Sequence, residues 1–547
     1  MRLLLAIGLT LLAVAAVGGA FYLGIAGPVP APQVSTPAAV PALAAKLAPA
    51  AALAPAAKPA PAPEPPPQAP AELSVGKPIP QDHARMEQRW HERQEWNRAT
   101  LQGAYDRVGK RDPRWDEPAR KALDLAARMF SLQVDPAVSM VDIYPAARQA
   151  VDAGCNDPLI LYLYARTSIG PNYPGEEELT RRTRSAAEAM IASRYPPYRR
   201  AVAQMVLAEY STSTKDVSPE AKAEALRRLD AALDLLPESL REDPKGFLRD
   251  EAWDRDINRN IELRQKLGVE DRAAFEAVDA RLAKVPGAEA LRLAIRGRFF
   301  YLWGWKARTN AFAFAVSQDQ FRTFESRVQE ARTALEAAWK LNHDQPKVAT
   351  FLLDIEKSIG DGDREAMETW FERAMTTDGN DLNACTCKLD WLDPKWHGGD
   401  SFDEMLAFGE ACRVTENWRA GITLLDGDAH FQYWSHLPIE ERVRYLRRPD
   451  VWSHIQSTYD EYLKHFPHDD VCRSKYAYFC AVGGRHLEAH AQFQALGDRL
   501  TMWPRFPNVP LEALKGLRDF SARVVSGQVD RSEVRTILIP PPGQTPK

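Results

Sequence analysis

From Ile455 to Leu496 the chain reads IQSTYDEYLKHFPHDDVCRSKYAYFCAVGGRHLEAHAQFQAL. Ile455, Tyr459 and Tyr462 stand at i, i+4 and i+7, and thirty-four residues later Ala489, Phe493 and Leu496 repeat the same steps. Residues so spaced share one face of an α-helix. Pro467, five residues after Tyr462, ends the first of these helices because proline cannot donate to the helical ladder. The same pattern occurs upstream. Ala225, Leu229 and Ala232 precede Pro237, and Ala331, Leu335 and Ala338 precede His343. Met367, Phe371 and Ala374, ahead of Gly379, match more loosely. Ala331 and Met367 lie thirty-six residues apart, with Gly360-Asp361-Gly362-Asp363 as an inserted turn between them. A small residue at the first position lets a partner helix approach closely, so the repeated unit reads as a helical hairpin whose apolar face needs a neighbour.

Outward from these stretches, amphipathic helices are expected around 82–110, 116–131, 140–153, 158–168, 178–193, 198–211 and 219–236, and onward to about 523. No segment alternates with the period of two that half-buried strands require. The fold class expected is all-α, with helical hairpins stacked as an α-solenoid. The boundaries expected are an apolar segment over 1–26, a Pro/Ala-rich linker over 27–81, helical regions over 82–240 and 241–525, and a tail over 526–547.

Three runs carry a family resemblance: Met367-Glu368-Thr369-Trp370-Phe371-Glu372-Arg373-Ala374-Met375, then Leu392-Asp393-Pro394-Lys395-Trp396, then Met405-Leu406-Ala407-Phe408-Gly409. With Val108-Gly109-Lys110-Arg111-Asp112-Pro113-Arg114-Trp115-Asp116, they resemble an uncharacterised bacterial family of degenerate tetratricopeptide-like repeats, over roughly residues 85–500. The thirty-four-residue step is that repeat's period. The Trp, Leu-Gly and Tyr positions of its first helix are mostly absent here. The resemblance implies architecture and no known activity.

Leu3 to Ala26 has no charged residue, and only Thr10 and Tyr22 carry a polar group. As a helix, 24 residues extend about 36 Å, enough to cross a hydrocarbon core of about 30 Å with some tilt. A retained anchor with the N-terminus inside is one reading. A cleaved signal peptide ending at Gly18-Gly19-Ala20 is the other. Under both the body lies outside the cytoplasm, in a periplasm or its equivalent, and the first reading makes a single-pass membrane protein. The linker that follows, with Pro59-Ala60-Pro61-Ala62-Pro63-Glu64-Pro65-Pro66-Pro67, cannot continue a helix or sheet. It should sample extended polyproline II, reaching on the order of 150 Å.

Formal net charge is −4 over 547 residues. The first 80 residues hold four basic and two acidic side chains, so the body is the more acidic part. An acidic body argues against a nucleic-acid partner, which needs a positive field.

Several constellations invite chemistry, each with an ordinary structural explanation. Cys385 and Cys387 on one helix would point about 200° apart, poor geometry for shared metal binding. Cys472 and Cys480 lie too far apart on their helix to pair, and with Cys155 and Cys412 the set reads as buried thiols, one long-range disulfide being the alternative. His486 and His490 stand at i, i+4, but Leu487-Glu488-Ala489 between them is not the zinc-protease arrangement, and a solvated helix face is the simpler reading. Asp426, Asp428 and His430, near Trp434 and His436, form a ligand set or an Asp-rich helix start. Trp391, Trp396 and His397, ahead of Gly398-Gly399, form a binding loop or cap a helix reversal. Arg298-Phe299-Phe300-Tyr301-Leu302-Trp303-Gly304-Trp305-Lys306 mixes basic and aromatic residues as single-strand binders do, but in an acidic body it reads as a core helix with cations reaching to its rim. No Gly-rich phosphate loop or nucleophile elbow occurs. No catalytic, cofactor-binding or metal-binding set is therefore assigned. The function expected is a non-enzymatic scaffold for a protein or peptide partner, tethered to the membrane through the N-terminal helix. A cell-envelope enzyme or a passive spacer on the same scaffold are the alternatives.

Overall fold

The computed structural model describes residues 79–529, apart from 132–137, 139, 170–171, 213–216, 244–245, 247, 249–252, 310–314, 360–361 and 503–508. The anchor or signal segment, nearly all of the Pro/Ala-rich linker, and the tail from 530 lie outside the described residues, as do Gly360 and Asp361 of the inserted turn. No helix among the described residues is long and apolar enough to cross a membrane.

Every regular element among the described residues is a helix. In order they are α1 His83–Thr100, α2 Gln102–Val108, α3 Asp116–Met129, α4 Met140–Asp152, α5 Pro158–Arg166, α6 Glu176–Ile191 and α7 Pro197–Thr212. Then come α8 Pro219–Asp234, α9 Leu236–Arg241, a π-turn at Trp253–Ile257, α10 Asn258–Lys266, α11 Asp271–Leu282 and α12 Glu289–Arg308. Next are α13 Gln318–Leu341, α14 Pro346–Ile359, α15 Arg364–Thr377, α16 Leu382–Trp391 and α17 Asp403–Arg413. A 3₁₀ turn at Ile422–Leu424 leads into α18 Leu425–His436, α19 Ile439–Arg447, α20 Pro449–His465, α21 Asp470–Val482, α22 His486–Leu496 and α23 Leu511–Val525. The expected helix over 82–110 breaks at Leu101, whose backbone leaves the helical region at φ −105°, ψ −84°.

Local chemistry starts many of these helices. Asp157, Ser218, Asp363, Asp381 and Asp469 each accept a backbone N–H of the following first turn. Ser317 and Gln320 close a full capping box ahead of α13. Each such cap satisfies a donor that the helix leaves open.

The helices pack in succession, α3 on α4, α5 on α6, α7 on α8, α12 on α13, α14 on α15, α17 on α18 and α21 on α22, with next-but-one contacts such as α14 to α16 and α18 to α20. This succession is compatible with a helical solenoid. The register positions all face inward. Ala225, Leu229, Ala331, Leu335, Ala338, Met367, Ala374, Ile455, Tyr459, Ala489 and Leu496 are fully buried, and Ala232, Phe371, Tyr462 and Phe493 nearly so. A close approach is visible where α12 meets α13. A Cβ on Gly297 would sit 2.3 Å from Leu335 Cγ and 3.1 Å from the Ala331 carbonyl oxygen, so this position on α12 has no room for a side chain. The buried apolar side chains form one large cluster from Ile79 and Trp96 through Ala429, a second from Leu101 to Leu207, a third from Phe431 to Leu517, and two smaller ones.

Helix α1 follows a course the sequence did not suggest: it folds back over the turns between later helices. Gln81 Nε2 donates to the Gly379 carbonyl at 3.0 Å and Arg85 Nε to the Thr377 carbonyl at 2.9 Å. Arg89 Nη1 reaches Asp344 Oδ1 at 3.0 Å, joined there by Arg85, and Arg93 Nη2 lies 3.4 Å from the buried Asp378. Arg419 pairs with Glu87 at 3.3 Å and covers the Trp90 ring. At its other end α1 sets Trp96 edge-on to Tyr198 of α7, while Arg199 donates to Asn97 and Thr100. Gly379, expected only as a helix stop, is also where Met86 lands: a Cβ there would meet Met86 Sδ at 2.6 Å.

Candidate functional site

Two aromatic stretches that stand apart in sequence converge on one recess of about 540 Å³. Its walls are Trp305 and Arg308 from the end of α12, Phe321, Phe324 and Glu325 from the start of α13, Ser358 and Ile359 from the end of α14, and Trp396 from the turn after α16. Trp305, Phe321 and Trp396 are half-buried, and Glu325, Ser326 and Gln329 are exposed at the mouth. Trp305 packs edge-on to Phe324 at 5.0 Å between ring centres, and the Arg308 guanidinium lies 5.0 Å over the Trp305 ring. The turn carrying Trp396 is fixed by its glycines. A Cβ on Gly398 would lie 1.9 Å from the Leu392 carbonyl oxygen, and Gly399 adopts φ +70°. Trp391 goes into the core while Trp396 lines the recess.

Behind the recess lies a polar layer. Tyr301 and Ser358 share a hydrogen bond of 2.8 Å, and Ser358 Oγ donates to the Asp354 carbonyl at 2.7 Å. Lys357 Nζ is 2.8 Å from Asp354 Oδ1, and Cys387 Sγ is 3.5 Å from the same oxygen. Burial alone would depress the Lys357 ammonium, but Asp354, then Cys387 and Asp390, together outweigh it and hold it well above the ordinary lysine value. Burial, and next the Asp354 carboxylate, push the Tyr301 hydroxyl far up. These groups lock α14 to α12 and α16. His397 Nε2, 2.9 Å from the Lys357 carbonyl, ties the Trp396 turn to the same layer. The rest of the aromatic run is core, as read: Phe299, Phe300 and Tyr301 are buried, and Lys306 reaches out to Asp271 at 2.7 Å. Arg298 departs from that reading, being buried under the Phe351 ring instead of reaching the rim.

The Asp426–His436 stretch divides in the structure. Asp428 turns to Lys475 of α21, and His436 pairs with Asp393 at 3.2 Å. Asp426 and His430, one turn apart on α18, face His454 of α20, and the three could share one ion. His454 Nδ1 is 3.4 Å from Asp426 Oδ2 and 3.3 Å from Glu410 Oε2 of α17. His430 Nε2 is 4.0 Å from Asp426 Oδ1, while its Nδ1 meets the Tyr445 hydroxyl of α19 at 2.8 Å. Thr458, one turn beyond His454, donates to Asp426 Oδ2 at 3.2 Å. Arg413 holds Glu410 at 2.5 Å and approaches Asp426 at 3.9 Å. Burial draws the His430 imidazole below its ordinary value. Contact with the Asp426 carboxylate raises His454, against the effect of burial.

Sequence reasoning did not single out His454, Glu410 or Tyr445. The one available signal was spacing. Asp426/His430 and His454/Thr458 are both i, i+4 pairs, and the second flanks the register residue Ile455, which points at the preceding hairpin.

The remaining constellations are structural. All six cysteines are buried free thiols. Cys385 faces Met375 while Cys387 faces Asp354, the divergence expected of two residues two apart on a helix. Cys412 lies against Cys385, and burial, then that neighbour, raise its thiol well above the usual range. His486 is buried against Phe520 of α23, where a solvated face was expected. The cause is α23 itself, which packs across α22 there. No family model, curated protein or solved structure matches this chain.

Proposed function

We propose that this chain is a non-enzymatic scaffold of tetratricopeptide-like hairpins, held outside the cytoplasm by its N-terminal apolar segment and Pro/Ala-rich linker. The recess between Trp305 and Trp396 is its contact point for a protein or peptide partner. The observation that carries this reading is the placement of those two tryptophans. They come from different hairpins, and both keep part of their rings open to the same recess. Half-exposed tryptophan beside arginine is the composition that anchors interfaces, because each supplies large contact area at small entropic loss. Glu325 and Gln329 at the mouth supply the polar rim such anchors require. The fitting partner segment presents an apolar or aromatic side chain flanked by polar groups.

A photoreactive amino acid placed at Gln329 of the full chain in its native cells tests this. It should give a discrete adduct that is absent when the same group replaces Glu512 on α23. The adduct should vanish in Trp305→Ala and Trp396→Ala chains that retain the native helical spectrum. Adducts that are the same from both positions, or that survive both substitutions, would refute the assignment.

A further inference from the structure

We infer that Asp426, His430 and His454, with Glu410 beside them, form a binding site for a divalent transition-metal ion of the zinc type. This goes beyond the scaffold reading and rests on separate residues. Two imidazoles with one or two carboxylates match the ligand preference of zinc and its neighbours, whereas magnesium and calcium favour oxygen-only sets.

The spacing also fits. Adjacent ligands around a tetrahedral zinc with bonds of about 2.0–2.1 Å lie about 3.3–3.4 Å apart. His454 Nδ1 stands 3.4 Å from Asp426 Oδ2 and 3.3 Å from Glu410 Oε2. The ligand atoms of Asp426, His430 and His454 all lie within 4.8 Å of one another, so closing onto an ion needs side-chain shifts only.

The contacts one shell out are those of a metal centre. The Tyr445 hydroxyl occupies His430 Nδ1, which leaves Nε2 directed at Asp426. A metal-ligating imidazole is oriented through its other nitrogen in this way. Thr458 holds the Asp426 carboxylate, whose side chain is 1% exposed. His454 Nδ1 is buried between two carboxylate oxygens that lie within 3.4 Å of it, the position an ion bridging all three would take. Arg413 opposes a cation here, but Glu410 engages it through both carboxylate oxygens, at 2.8 and 2.5 Å. The half-exposed side chains of His454 and Glu410 leave one side open for an ion to enter.

The test uses the full chain stripped with a chelator and titrated with zinc against a chromophoric competitor. The expected result is one equivalent bound, lost in His430→Gln and in His454→Gln, and kept in His490→Gln. Tyr445→Phe, which alters only the orienting contact, should weaken binding on the order of 10–100-fold. Cobalt(II) added to the unaltered chain should give the visible absorption of a tetrahedral nitrogen–oxygen site, and this reading decides the matter if the histidine variants fail to fold. No stoichiometric zinc, binding untouched by both histidine substitutions, or a cobalt–thiolate band that places the ion on cysteines would each overturn the inference.

Discussion

Gly409 sits where α17 crosses α18, and a Cβ there would lie 2.7 Å from Ala429 Cβ and 3.3 Å from Asp426 Cα. Neither neighbour can rotate away, so the backbones would have to part. Gly409→Ala should therefore destabilise the chain by up to about 2 kcal/mol, overpacking of about 1–3 kcal/mol being partly offset by alanine's better helix propensity of about 1 kcal/mol. Thermal unfolding measures this, and a raised midpoint would contradict the tight crossing. The cysteines make a second residue-level case. None is more than 5% exposed, and burial pushes Cys387, Cys472 and Cys480 well above the ordinary thiol range. The thiolate is the reactive form, so an aromatic disulfide reagent should find no rapidly reacting thiol in the folded chain and six after denaturation. A fast-reacting thiol in the native state would show that one of these packing sites opens. The parts of the site legible at this scale were those that share an element. Asp426 and His430 could be read as neighbours on α18, whereas His454 could not, because its place depends on how α20 packs on α18.

Among the elements, α1 makes the least predictable contribution. Its sequence HARMEQRWHERQEWNRAT is mostly polar, and the amphipathic helix expected there names no partner for its arginines. Arg85, Arg89 and Arg93 instead point along one face to the turns after α13 and α15, with partners 255 to 292 residues away. Contacts of that separation leave no periodic trace, which is why the fold-back was invisible in the sequence while the hairpins were not. Arg93 and Asp378 are both about nine-tenths buried, and removing one member of a buried pair strands the other. Arg93→Met should cost about 3–5 kcal/mol of stability. The pH dependence follows from Asp378. Burial would raise its carboxyl, but the Arg93 guanidinium, together with Arg89, the Asn380 backbone N–H and Lys347, outweighs burial and leaves it below the ordinary value. A lowered folded value means the contribution is present above the ordinary aspartate value of about 3.9 and is lost as pH falls through the folded one. Acid titration of the wild-type chain should thus show a loss of stability below about pH 4 that is smaller in Arg93→Met. Parallel acid profiles would contradict it.

For the whole molecule, the helical class and the hairpin register were legible because both depend on local periodicity. Every register residue from Ala225 to Leu496 points inward, and Gly297 leaves room on α12 for the register residue Leu335. The recess was half legible: both of its tryptophans could be named, but their meeting depends on the stacking of α12, α13, α14 and the turn after α16. What emerges is a succession of hairpins whose turns are gathered by the chain's own first helix, leaving the Trp305–Trp396 recess open between hairpins. Hydrogen exchange read by mass spectrometry on the full chain, with and without Arg93→Met, tests that arrangement most directly. Exchange should quicken in 83–100 and in the turns at 342–345, 377–381 and 415–420, while 455–496 stays protected. Acceleration confined to 83–100, or spread evenly over the chain, would show that α1 does not hold those turns together.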